Sequence, residues 1–158
     1  IRANNLELIY ADKNKIIVIP RSEMLSSLMK PFRSIAVAGS HGKTTTTSLI
    51  ANIFHEADLS PTYVIGGKIL SDDQSADLGK GDYMIVEADE SDGSFLNLNP
   101  EIIVVTNIDN EHLIFYDSKQ SKLNEVFLKF VNNLPFNVIL FGYLLLTILL
   151  KYFEIFAS

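Results

Sequence analysis

Gly39-Ser40-His41-Gly42-Lys43-Thr44 lies between a short apolar run, Ser34 to Ala38, and the threonine run Thr44 to Thr47. Two glycines followed directly by a lysine and a hydroxyl are residue types that bind phosphate. Glycines let backbone N–H groups turn inward around phosphate oxygens, and the start of a following helix adds positive partial charge. Lys43 is placed to reach the β- and γ-phosphates, and the Thr44 hydroxyl to bind Mg²⁺. The pattern is a shortened Walker A loop, with two residues between its glycines in place of four. The glycine pair alone also suits an ordinary βα turn before a threonine-capped helix. The strand in front, the Lys-Thr pair and the threonine run weigh for phosphate. His41 reads as a loop residue that can also touch phosphate.

A second group is acidic. Glu87-Ala88-Asp89-Glu90-Ser91-Asp92 follows the apolar residues from Tyr83, and between Asp72 and Glu111 eleven acids face one base, Lys80. Acidic runs are commonly solvated loops. Beside a phosphate loop, though, carboxylates and phosphates repel, and Mg²⁺ relieves the repulsion by bridging their oxygens. Glu87 leads as a ligand because it falls at a strand end; Asp89, Glu90 and Asp92 rank below it. A third apolar run, Ile102 to Asn107, delivers Thr106, Asn107, Asp109, Glu111 and His112 to the same edge. From its position alone, His112 is as readily structural as metal-binding.

These groups need a scaffold that brings three strand ends together. Ser34–Ala38, Tyr83–Ala88 and Ile102–Asn107 are continuous apolar runs, the pattern of strands covered on both faces. Lys15 to Pro20 (KIIVIP) reads as a further short buried strand. Helical spacing marks Met24, Leu25, Leu28 and Met29 before Pro31. It marks Leu49, Ile50, Ile53, Phe54 and Ala57 after the loop, and Leu123, Val126, Phe127, Phe130, Val131 and Leu134 near the end. Alternating strands and helices predict an α/β fold with a mainly parallel sheet, whose ligands gather at the carboxyl ends of the strands.

Composition narrows the function classes. With 158 residues, 47% apolar and 20% charged, the chain can bury a core and is not a disordered polymer. A net charge of −6 argues against nucleic acid as a partner, since phosphate backbones are met by clustered Lys and Arg. Without cysteine there are no disulfides, thiolate metal sites or cysteine nucleophiles. Ile1 to Tyr10 lacks the basic-then-apolar layout of a signal peptide. Val138 to Leu150 is an apolar run of 13 residues. As a helix it would reach about 20 Å, short of the ~30 Å hydrocarbon core, so burial or self-association is expected before membrane insertion.

GSHGKTTTT, EADESDGSFLNLNP and VVTNIDNEH, in this order and spacing, resemble the central domain of the Mur ligases, as do IPRSEMLSSLM before the loop and NNLPF after it. The similarity covers about Ile16 to Phe136 and favours the branch that adds L-alanine. A serine at 91, where the murein tripeptide branch typically has tyrosine, places that branch second; folylpolyglutamate synthase is a more distant relative. The resemblance implies a cytoplasmic, ATP- and Mg²⁺-dependent ligase of peptidoglycan synthesis, joining L-alanine to UDP-N-acetylmuramate through an acyl phosphate. It implies an ATP site of Gly39, Ser40, His41, Gly42, Lys43, Thr44 and Thr45. Metal ligands would be Thr44, Glu87 and His112, and Lys43, Glu87 and His112 would serve catalysis. Residues 1–30 would be the remnant of a substrate domain and linker, 31–136 a partial ATP-binding domain of the phosphate-loop α/β type, and 137–158 an apolar tail unlike the family. Ser40 stands where threonine is usual, and Glu111 and Ile114 where aspartate is usual.

Overall fold

Asn5 opens the first helix, α1 (Leu6–Lys13), its side-chain oxygen accepting from the N–H groups of Glu7 and Leu8. Helix α2 (Arg21–Met29) starts directly behind Pro20, whose fixed φ suits a helix entrance. Strand β1 (Arg33–Ala38) then runs through the glycine loop into α3 (Lys43–Glu56). Strands β2 (Thr62–Val64), β3 (Ala76–Asp77) and β4 (Tyr83–Glu87) follow. After a 3₁₀ turn at Ser94–Asn97 come β5 (Ile102–Val105), α4 (Gln120–Asn132) and β6 (Ile139–Phe141). The computed structural model describes residues 4–66, 75–91, 93–109, 119–132 and 139–141.

All six strands form one sheet in the order β3-β2-β4-β1-β5-β6, and only the β2–β3 pairing is antiparallel. The mainly parallel α/β architecture expected from the sequence is the one that forms. Its three central strands are the three continuous apolar runs, because each is covered on both faces. On one face Ala36, Ala38, Met84, Val86, Ile103 and Val105 meet Leu25 and Met29 of α2 and Leu123, Phe127 and Phe130 of α4. Phe95, from the 3₁₀ turn, joins them with ring centroids 5.2 Å from Phe127 and 4.5 Å from Phe130. On the other face Ile35, Val37, Ile85 and Val104 pack with Ile50 and Ala51 of α3. Each large side chain so enclosed stabilises the fold by about 1.5–3 kcal/mol relative to its exposed form.

The carboxyl ends of β1, β4 and β5 align because the strands are held in register. Val37 lies opposite Glu87 and Ala38 opposite Val105. At the other end of β1, Arg33 donates to Glu101, with a shortest contact of 2.7 Å, and to the Tyr83 hydroxyl at 2.8 Å. This exposed pair ties the beginnings of the same three strands together. Hydrogen bonding to Arg33 holds the Glu101 carboxyl below its ordinary pKa, and Glu101 in turn raises that of Arg33.

One expectation is corrected. KIIVIP is not a buried strand: Ile16, Ile17, Val18 and Ile19 are all exposed, Ile17 at 88%, and the segment enters no ladder. The places beside β1 belong to β4 and β5, and apolar composition cannot create a free ladder for a further strand. The helix expected from Met24, Leu25, Leu28 and Met29 forms as α2; of these, Leu25 and Met29 are buried as one narrow i, i+4 stripe while Met24 and Leu28 are exposed. From the apolar run near the end, Ile139–Phe141 pairs with β5 as β6; residues 142–158 lie outside the described part. Among the described residues no helix is long and apolar enough to cross a membrane.

Candidate nucleotide-binding site

The loop after β1 owes its shape to two glycines. Gly39 has φ +131° and is buried; a Cβ there would overlap Thr106 Oγ1 and come within 2.8 Å of the Asn107 carbonyl oxygen. Gly42, at φ +76°, is the residue before the first turn of α3 and carries no capping side chain. The first N–H groups of α3 therefore face the loop without a side-chain cap, at the positive end of a 14-residue helix.

Residues just beyond β5 clasp the loop from outside. Ser40 N–H donates to the Asn107 carbonyl at 3.0 Å, and His41 N–H to Asn107 Oδ1 at 3.0 Å. The His41 carbonyl accepts from Thr106 Oγ1 at 2.6 Å and from Asn107 Nδ2 at 3.0 Å. Asp109 N–H donates to Ser40 Oγ at 2.9 Å. Ser40, His41, Thr106, Asn107 and Asp109 thus fix the loop backbone, leaving its inner surface to the glycines and to Lys43.

Lys43 turns back across the loop. Its ammonium donates to the Gly39 carbonyl and lies 3.0 and 2.9 Å from the two carboxylate oxygens of Glu90. That pair is enclosed, the side chains being 12% and 1% exposed. Next to it, Thr44 Oγ1 donates to Glu87, 3.1 Å from Oε2, and Gly66 N–H donates to the same Oε2 at 2.8 Å. Glu87 is half-buried and stands at the end of β4.

The structure brings Gly39, Ser40, His41, Gly42, Lys43, Thr44 and Glu87 to one sheet edge. Thr45 is exposed on the first turn of α3. His112, Glu111, Ile114 and Asp92 lie outside the described residues. Asp89 is exposed and its Oδ1 accepts from Ser91 N–H, shaping the acidic turn. Glu90, ranked low as a metal ligand, is the enclosed partner of the loop lysine. Its signal in the sequence is undirected: four acids fall in six residues, and of the neighbours Asp89 and Glu90 only backbone geometry after β4 makes the first exposed and the second enclosed.

Chemically, the edge offers backbone N–H groups, one ammonium and two carboxylates. Among the described residues no three His, Asp or Glu side chains converge as a metal site. Mg²⁺ does not require three. It typically takes one or two protein oxygens and completes its shell with water and phosphate. The Thr44 hydroxyl beside the Glu87 carboxylate is a donor pair of that kind, so the residues fit the ion.

A phosphate-type loop at the carboxyl edge of a parallel sheet, a lysine inside it and an acid at the neighbouring strand end define a nucleotide-binding α/β domain. The chain belongs to the Mur ligase family: residues 37–143 match the Mur ligase middle domain. It is 53% identical over 136 residues to the UDP-N-acetylmuramate–L-alanine ligase of Ruthia magnifica subsp. Calyptogena magnifica and to that of Anaeromyxobacter sp. strain Fw109-5. Those alignments cover 86% of this chain but only 29% and 30% of the relatives, so the chain spans under a third of their length. Among solved structures, UDP-N-acetylmuramate–alanine ligase MurC from Thermotoga maritima matches with a TM-score of 0.80 at 26% identity, over 89% of this chain and 33% of that one.

Proposed function

We propose that this chain forms the ATP-binding part of a cytoplasmic ligase that joins L-alanine to UDP-N-acetylmuramate in peptidoglycan synthesis, releasing ADP and phosphate. The observation that carries the reading is the loop itself: Lys43 enclosed between the Gly39 carbonyl and Glu90, with Thr44 and Glu87 paired alongside. The substrate assignment is supported by the names of the relatives at 53% identity. In this scheme the lactyl carboxylate of the muramate attacks the γ-phosphorus and ADP leaves. The amine of L-alanine then displaces phosphate from the acyl phosphate.

For such a transfer the protein supplies position and charge. The loop N–H groups and the start of α3 hold phosphate oxygens, and Lys43 offsets negative charge on the transferring group. Gly39 and Gly42 complete the inner surface of the loop, Ser40 and His41 hold its backbone through Asn107, and by the family resemblance Ser40, His41 and Thr45 would also lie against the nucleotide. Thr44 and Glu87 would hold Mg²⁺, which when bound neutralises phosphate charge and aligns the γ-phosphoryl group. By the family resemblance His112 would hold a second ion. Residues 1–30 would belong to the substrate domain and linker, 31–136 to the ATP-binding domain.

Calorimetry on the purified chain should detect Mg·ATP, and Lys43→Ala should lower that affinity by tenfold or more, with folding checked by circular dichroism. A chimera carrying the matched 136 residues within the Ruthia magnifica relative should release ADP only when UDP-N-acetylmuramate and L-alanine are both present. A folded chain indifferent to Mg·ATP, or a folded chimera that ignores L-alanine, would refute the reading.

A further inference from the structure

Glu90 is the least exposed acid among the described residues and carries no role in the scheme above. It meets Lys43, its two carboxylate oxygens lying 3.0 and 2.9 Å from the ammonium. A carboxylate with 1% of its side chain exposed is held in place by its cation, because an enclosed charge without a partner is strongly disfavoured. The converse holds for the lysine. Its ammonium is not an open positive charge waiting in the loop, since it is already matched by an acid at 2.9 Å.

The charge at the loop follows from this pairing. Glu90 matches the one ammonium, the Glu87 carboxylate stands beside it on Thr44, and the partial charge of the α3 terminus offsets only about half an elementary charge. Summed over these described groups, the loop edge is therefore close to neutral or slightly negative. Metal-free nucleoside triphosphate carries about twice the negative charge of its Mg²⁺ complex, so it gains less from such an edge. Without Glu90, the ammonium of Lys43 would attract both forms, and the more highly charged one would benefit more.

We propose that Glu90 is a positioning residue for Lys43 which, by holding and neutralising its ammonium, makes nucleotide binding at this loop depend on a divalent cation. The proposal rests on the reading of the loop as an ATP site. Glu90 acts through Lys43 and touches neither the nucleotide nor the metal.

The test is calorimetry on the whole chain with ATP in excess EDTA and with ATP in excess Mg²⁺. Wild type should bind the Mg²⁺ form and barely register the free form. Glu90→Gln, which keeps the shape and a hydrogen-bond acceptor, should tighten metal-free ATP by about tenfold and change Mg·ATP much less. In a Lys43→Ala background the same Glu90→Gln change should leave metal-free binding unaltered, because the residue through which Glu90 acts is gone. Equal weakening of both forms by Glu90→Gln, or an effect that persists without Lys43, would reduce Glu90 to a packing role and overturn the proposal. Wild type that binds neither form would instead remove the nucleotide reading, and the proposal with it. Nuclear magnetic resonance on the unaltered chain covers the case of a variant that does not fold. The Lys43 ammonium protons should exchange slowly, as in an enclosed pair, and free exchange would also overturn the proposal.

Discussion

Gly39→Ala places a methyl group in space already filled by Thr106 Oγ1 and the backbone of Asn107, whose carbonyl oxygen lies 2.8 Å and nitrogen 3.0 Å from the new Cβ. Two costs add. A φ of +131° is sparsely populated by residues with a Cβ, worth about 1–3 kcal/mol, and forcing a methyl group into a filled site costs about 1–3 kcal/mol more. A stiffer unfolded chain returns about 0.4–1 kcal/mol. The expected net loss is about 1–5.6 kcal/mol. Gly42→Ala is the matched control: it shares a positive φ, +76°, but its Cβ would meet nothing within 4 Å. There the backbone term of about 1–2 kcal/mol stands alone against the same return, leaving a loss of at most about 1.5 kcal/mol. With a urea slope of about 2 kcal/mol/M, the midpoint should fall by about 0.5–2.8 M for Gly39→Ala, with the larger shift expected there, and by less than about 0.8 M for Gly42→Ala. Since Asn107 clasps Ser40 and His41, the first variant should also weaken Mg·ATP binding under conditions where it remains folded. Equal midpoint shifts for the two variants would show that the loop and the end of β5 are not packed against each other as described.

Phe127→Ala empties a fully buried position between α4 and the sheet and should cost about 3–5 kcal/mol in urea unfolding; a loss below about 1 kcal/mol would mean that α4 is not docked on that face. Glu101 gives a pH signature. Its folded pKa is depressed by Arg33, so its contribution is complete above the ordinary value of 4.5 and is lost as pH falls through the lower, folded value. Thermal melts should therefore show wild type losing stability on acidification below about pH 4.5 more steeply than Glu101→Gln; superimposable acid limbs would deny the Arg33 pairing any share in stability.

The parts of the fold that could be read from sequence are those whose burial is two-sided or strictly periodic. IAVA, MIV and IIVV become β1, β4 and β5 because both faces are covered, and Leu123, Phe127 and Phe130 recur at helical spacing on α4. Thr62–Val64 and Ala76–Asp77 carry neither signal: one is three residues long, the other an exposed pair, and both are strands only because a neighbouring ladder accepts them. KIIVIP failed in the opposite sense, with a strong apolar signal and no ladder to receive it. In the site, the glycine spacing announced the loop, and the strand end announced Glu87. Glu90 could not be told from Asp89 by spacing, since adjacent residues in a turn can face opposite ways and only the backbone decides which is enclosed. Thr106, Asn107 and Asp109 stand at the edge to which the third apolar run leads, and there they brace the loop.

The sheet order has a further consequence for how this chain reaches its folded state. Strand β1 has β4 and β5 as neighbours, so Ser34 pairs with Met84 and Ile35 with Ile102, across large stretches of chain. The same is true of the functional contacts: Thr44 to Glu87 spans 43 positions, Lys43 to Glu90 spans 47, and Ser40 to Asp109 spans 69. Closing such loops costs entropy before any contact repays it, and topologies of this kind fold slowly. Among the described residues no hairpin or helix pair contains a rudimentary version of the site. The lysine meets its acid, and the loop its brace, only when the three central strands have assembled, so nucleotide recognition and the completed sheet should appear in one kinetic step.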